Sequence, residues 1–148
     1  MIKVRIIVGE FEAFQEHLSL WSLIYLQTDE FFFPSEVWTD ATSSILVMWA
    51  ENVSSILLGS SKSVELMFMD GDYTVVMEAI SHVEGRMQFL GPNGQMGVLC
   101  DIDLVYFARQ VLSACAKLSH HYQAFQNSHQ LQELLNAADS LRKAIAKY

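Results

Sequence analysis

The residues best suited by type to chemistry are carboxylates, histidines and two cysteines, and their spacing assigns most of them to structure. Asp70 and Asp72 flank Gly71, as carboxylates do in some metal loops. A calcium loop needs further oxygen ligands and a later glutamate, which this segment lacks at the required spacing. A hairpin turn accounts for the pair. Asp101 and Asp103 fall on one side of a strand end and could share a proton or a metal. The helical pattern that begins at Leu104 gives both a capping and dipole role instead. Of the histidines, His17 and His82 are isolated, and His120, His121 and His129 fall near the junction of two helices. His120 and His121 diverge by about 100° around a helix, which suits solvated surface better than a zinc site. Cys100 and Cys115 lie in apolar stretches without CxxC spacing or a cationic neighbour, and read as small buried hydrophobes. No GxSxG elbow and no glycine-rich phosphate loop occurs. The sequence therefore predicts neither an enzyme nor a metal or cofactor site.

What remains is the segment Asp29–Asp40, DEFFFPSEVWTD. Phe31, Phe33 and Trp38 are expected to anchor the chain between strand and helix. Asp29, Glu30, Glu36 and Asp40, joined by Asp70 and Asp72 of the turn, are expected to face water as an acidic docking surface. Complementary charge speeds encounter with a basic protein, and a few desolvated apolar anchors supply affinity.

The elements that must position these residues follow from periodicity. Lys3–Val8 and Leu20–Gln27 read as strands, with the acidic stretch Gly9–Ser19 between them as a loop or short helix. Thr39 and Asp40 provide a start for a first helix running to Gly59, with apolar positions at Ile45, Met48, Trp49, Val53, Ile56 and Leu57. Val64–Met69, Tyr73–Ile80, Arg86–Leu90 and the alternating Met96, Val98, Cys100 and Ile102 predict a four-stranded antiparallel meander. Asp103 caps a long second helix carried to Phe125 by one apolar face. Asn127 and Ser128 offer a break and a cap for a third, with Arg142, Lys143 and Lys147 near its C-terminal end. The expected fold is α+β: an antiparallel sheet packed with three helices on one side, two of them C-terminal, in a single domain over residues 1–148.

Composition narrows the function. At 51% hydrophobic and 18% charged, the chain is too apolar for a disordered tail and too interrupted by charge for a membrane protein. No stretch reaches the roughly 18 apolar residues of a spanning helix. The first residues, MIKVRIIVGEFEAF, lack the form of a signal peptide, which predicts a cytosolic protein. The net charge of −8 argues against nucleic acid as a partner, because phosphate binding depends on Lys and Arg. Residues 1–103 hold 15 acids and 4 bases, a net of −11, whereas residues 104–148 hold 2 acids and 5 bases, a net of +3. The acidity belongs to the strand-rich part of the chain.

FPSEVWTD at Phe33–Asp40, the apolar helix containing Trp49 and MFMDGDY at Met67–Tyr73 together resemble small bacterial immunity proteins. Such proteins neutralise toxin domains delivered between neighbouring cells, including those of contact-dependent growth inhibition systems. The resemblance covers roughly the first half of the chain, and its tryptophan, carboxylate and DG positions look like determinants of the fold. It implies a cytosolic antidote that binds the C-terminal toxin domain of a cognate effector, nucleases being among such toxins, and covers its active site or substrate path. The alternative is another protein-binding module, an adaptor or chaperone. The two C-terminal helices either complete the core or also serve a homodimer.

Overall fold

The computed structural model describes residues 1–9, 15–16, 19–94, 96–122 and 128–148. Two antiparallel sheets dominate. Alternating burial builds the first: Ile6 and Val8 are buried in β1 (Arg5–Gly9), and Ser22, Ile24 and Leu26 in β4 (Ser22–Gln27). These strands pair with Ile7 opposite Tyr25. On its other side β4 receives two short strands, β5 (Phe32–Phe33) and β6 (Thr39–Asp40). The segment expected to be a loop or short helix holds, at Gln15–Glu16, a short strand β2 paired with β3 (Ser19–Leu20). The rest of it, 10–14 and 17–18, lies outside the described residues, as does the expected helical extension over Phe125.

The second sheet is the expected meander, in the order β10–β9–β8–β7. Its strands are β7 (Ser63–Met67), β8 (Thr74–Ala79), β9 (Glu84–Leu90) and β10 (Met96–Asp103). Asp70–Gly71–Asp72 turns β7 into β8, closed by the Phe68 amide donating to the Tyr73 carbonyl at 3.0 Å. The first strands thus form a sheet of their own. A parallel bridge between Ile2 and Ile102, with the Ile2 amide on the Asp101 carbonyl at 2.8 Å, links it to β10.

Three helices follow the predicted order: α1 (Thr42–Leu57), α2 (Leu104–Tyr122) and α3 (Ser128–Ile145). Asp103 caps α2 as expected, accepting the Tyr106 amide at 2.9 Å. Helix α1 ends where Gly59 takes φ +76°, the left-handed conformation that favours glycine. The Tyr148 hydroxyl donates to the Leu57 carbonyl at 2.6 Å and ties the last residue to that helix end. None of the described helices is long and apolar enough to cross a membrane.

The helices also close sheet edges, whose unpaired backbone groups would otherwise invite foreign strands. Trp49 Nε1 and Asn52 Nδ2 of α1 donate to the carbonyls of Met67 (3.1 Å) and Glu65 (3.0 Å) along β7. Gln110 Oε1 of α2 accepts the Ile6 amide of β1 at 3.2 Å. Leu66, Val75, Met77, Met87, Phe89, Cys100 and Ile102 face the core from the meander. The alternate residues on its other face are exposed or half-buried.

Candidate functional site

The segment Asp29–Asp40 is shaped by hydrogen bonds that the two sheets bring to it. Thr28 Oγ1 accepts the amides of Glu30 (3.2 Å) and Phe31 (3.1 Å), so Asp29 and Glu30 sit exposed at the tip of the β4–β5 turn. The three aromatics anchor as expected, but between the sheets. Phe31 and Phe33 meet Phe89 edge-on at centroid distances of 5.0 and 5.2 Å, and Trp38 meets Tyr73 at 5.1 Å. Edge-to-face geometry of this kind adds about 0.5–1.5 kcal/mol per pair beyond the burial itself.

Asp40 departs from expectation. It is fully buried, neither on the acidic surface nor capping α1, whose N-cap is Ala41 without a side-chain bond. Its Oδ2 accepts Trp38 Nε1 (2.9 Å) and the amides of Met69 (2.9 Å) and Asp70 (3.1 Å), while Oδ1 accepts the Ala41 amide (2.7 Å). These donors replace the water a carboxylate requires. A helix-start pattern hid this role because two of the donors come from a turn some 30 positions onward.

The remaining acids divide into two groups. Glu36, Asp70 and Asp72 are exposed, and Asp40 holds the turn that bears the two aspartates beside Trp38. Gly71 lies so close that a Cβ there would stand 2.9 Å from Trp38 Cη2. Val37, 73% exposed, and Met69, 54% exposed, add apolar surface. Glu30 instead lies by β10, where its charge and that of Asp101, after burial, raise the Cys100 thiol above its ordinary pKa. That is the opposite edge of the meander from β7. The six acids do not form one surface.

Other candidates resolve into structure. Asp101 pairs with Arg86 at 2.9 Å, and His129 with Glu133 at 3.0 Å. No group of three or more His, Cys, Asp or Glu among the described residues could hold a metal ion. His17 lies outside those residues. Among the described residues, three open grooves of comparable size stand out. One of about 380 Å³ between α1 and α3 has Glu51 and Glu133 on its walls. A second of about 350 Å³ lies under Leu58, His82 and Tyr148. The third, about 280 Å³, is on the outer face of the meander beside Glu65 and Asp72. No family model, curated protein or solved structure matches the chain. The candidate site therefore rests on the arrangement of this chain's own residues. Of these, Glu65 and the exposed Met67 and Leu99 escaped the sequence reading. Their alternation with buried residues was the signal.

Both cysteines are buried and free, as expected. Burial pushes the Cys115 thiol up from 9.0 to about 12. The unfolded chain releases this proton near 9.0 and the folded chain only near 12, so the associated stability is whole below pH 9 and is lost as pH rises through that window. One pH unit above the unfolded value the loss is about 1.4 kcal/mol. Urea unfolding at pH 8 and pH 10 is expected to show a larger fall for the native chain than for Cys115→Ala. Equal falls in the two proteins would disprove the assignment.

Proposed function

We propose that the chain is an immunity protein that binds and neutralises the C-terminal toxin domain of a cognate delivered effector, covering its active site or substrate path. The observation that carries this reading is the charge arrangement. The exposed turns around the sheets bear Asp29, Glu30, Glu36, Asp70 and Asp72, whereas the helical part from residue 104 onward has a net charge of +3. A toxin that attacks nucleic acid must present a basic cleft, and acidic turns distributed around the sheets complement the charge of such a cleft. The resemblance of FPSEVWTD and MFMDGDY to immunity proteins supports the same conclusion.

The test is co-purification of the tagged chain with the C-terminal domain of the product of the gene immediately upstream, scored for restored growth of cells expressing that domain. A tight complex and restored growth are expected. A product that is neither toxic nor bound removes the proposal. Within such a complex, simultaneous Glu30→Lys, Glu36→Lys, Asp70→Lys and Asp72→Lys is expected to slow association by about tenfold or more at low salt. It should also flatten the dependence of the rate on ionic strength. Stopped-flow association across a salt series measures both, and unchanged values would take these acids out of the encounter surface.

A further inference from the structure

The outer face of the meander carries more information than the acids in its turns. Strand register arranges its residues in cross-strand rows. One row is Glu78, Arg86 and Asp101, and the next is Glu65, Val76, Gln88 and Leu99. Beyond them, Met67, Thr74 and Leu90 lead to the β7–β8 turn. A solvent-facing antiparallel face is ordinarily polar. Here Met67 is 48% and Leu99 60% exposed, with Val76 and Leu90 half-buried beside them. The face's cation, Arg86, is held by Asp101 at 2.9 Å.

At the end of this face the groove of about 280 Å³ opens between Glu65, Asp72, Thr74, Leu90 and the loop 91–94. Leu90 contributes apolar surface and Glu65 and Asp72 contribute carboxylates. No Lys or Arg lines the groove, and neither carboxylate has an ion-pair partner among the described residues. Two free carboxylates beside the half-buried Leu90 match a side chain with an apolar stem ending in a planar cation that is weakly hydrated and forked toward carboxylates. That describes an arginine side chain.

We propose that the basic protein partner docks on this outer face and seats one of its arginine side chains between Glu65 and Asp72. The inference rests on the toxin-binding reading above and moves its anchor from the segment Asp29–Asp40 to the sheet. Exposed Met67 and Leu99 provide the surrounding apolar contact, from which water is expelled as the partner closes over the charge pair.

Two experiments separate the groove from the toxin reading. In the first, amide shifts of the full chain are followed by NMR during titration with the peptide acetyl-Gly-Arg-Gly-amide and with its uncharged citrulline counterpart. Shifts are expected at residues 65, 72–74, 90, 91, 93 and 94 with the arginine peptide, absent with citrulline and absent in a Glu65→Gln, Asp72→Asn variant. Shifts spread evenly over the acidic surface, or centred on the Glu51 and Glu133 groove, would overturn the proposal.

In the second, dissociation constants are measured for the complex with the upstream gene product. Glu65→Gln with Asp72→Asn is expected to weaken binding at least about tenfold, mainly through faster dissociation. Glu51→Gln with Glu133→Gln, which removes the same charge elsewhere, should leave it unchanged. Equal weakening by both pairs, or none by the first, overturns the docking assignment while leaving the immunity reading standing. Peptide binding at the groove without a toxin complex has the reverse meaning. A concentration-dependent dimer in sedimentation that protects the amides of Val76, Gln88 and Leu99 from exchange would assign the face to a second copy of the chain and overturn the proposal.

Discussion

Replacing Asp40 with alanine is expected to destabilise the protein by about 3–5 kcal/mol and to lower its midpoint of thermal unfolding by roughly 10 °C. The carboxylate is fully buried and accepts from Trp38 Nε1 and from the backbone amides of Ala41, Met69 and Asp70. Alanine leaves those donors without an acceptor. A hydrogen bond to a charged acceptor contributes about 1.5–3 kcal/mol, and stranding a buried donor costs the full desolvation of that group. The separate bonds are not additive, so the loss is smaller than their sum. Asp40→Asn should fall between the two proteins, because its oxygen can still serve one cluster of donors while its amide group meets at least one donor head-on. Calorimetric unfolding of the three proteins measures the order. An alanine variant that melts with the native chain would show that the turn and Trp38 hold their places without this carboxylate.

Asp40 also marks where sequence reading stops. The Asp103 cap, the Gly59 stop and the turn at Asp70–Gly71–Asp72 were legible because each rests on residues within a few positions of one another. The meander was legible for the same reason, since its strands pair with their neighbours in sequence. At Thr39–Asp40 the local pattern matched a helix start equally well, and the competing partners, the Met69 and Asp70 amides, lie about 30 residues away. No spacing rule reports a side chain that serves a distant turn. The separate pairing of β1 with β4, linked to β10 by the bridge at Ile2 and Ile102, is likewise a long-range outcome.

The docking face lay between these cases. Glu65 and Met67 alternate with Val64, Leu66 and Phe68, so the period of the strand already separates an outer row from a core row. Attention to charge favoured the turns instead. The groove itself was beyond reach from sequence, because it needs Leu90 of β9 registered opposite Thr74 of β8, with Asp72 and the loop 91–94 closing its sides. An acidic residue count cannot distinguish a carboxylate held by backbone amides, as in Asp40, from one left open in a surface groove, as in Glu65.

Phe33 provides the second large effect. Its ring is fully buried and meets Phe68, Tyr73 and Phe89 edge-on at 5.9, 5.7 and 5.2 Å. It belongs to β5 of the first sheet, whereas its partners belong to the meander and its first turn, so the ring joins the two sheets where few backbone hydrogen bonds do. Phe33→Ala is expected to cost about 3–5 kcal/mol through lost burial and the cavity left behind, and Phe33→Leu markedly less because it keeps most of the volume. Urea unfolding checks both. A Phe33→Ala loss no larger than that of Phe33→Leu would mean that the sheets close over the cavity. Phe33 and Asp40 act on the same junction, linked through Tyr73, which meets both Phe33 and Trp38, and through Trp38, which donates to Asp40. Their combined loss should therefore differ from the sum of the single losses by about 0.5–3 kcal/mol. The junction clamps the core face of the meander with aromatic rings and a buried carboxylate, while the residues of the opposite face are exposed or half-buried. An interface built there can expose Met67, Leu99 and two unpaired carboxylates, a surface that would be a liability on a sheet free to slide or open.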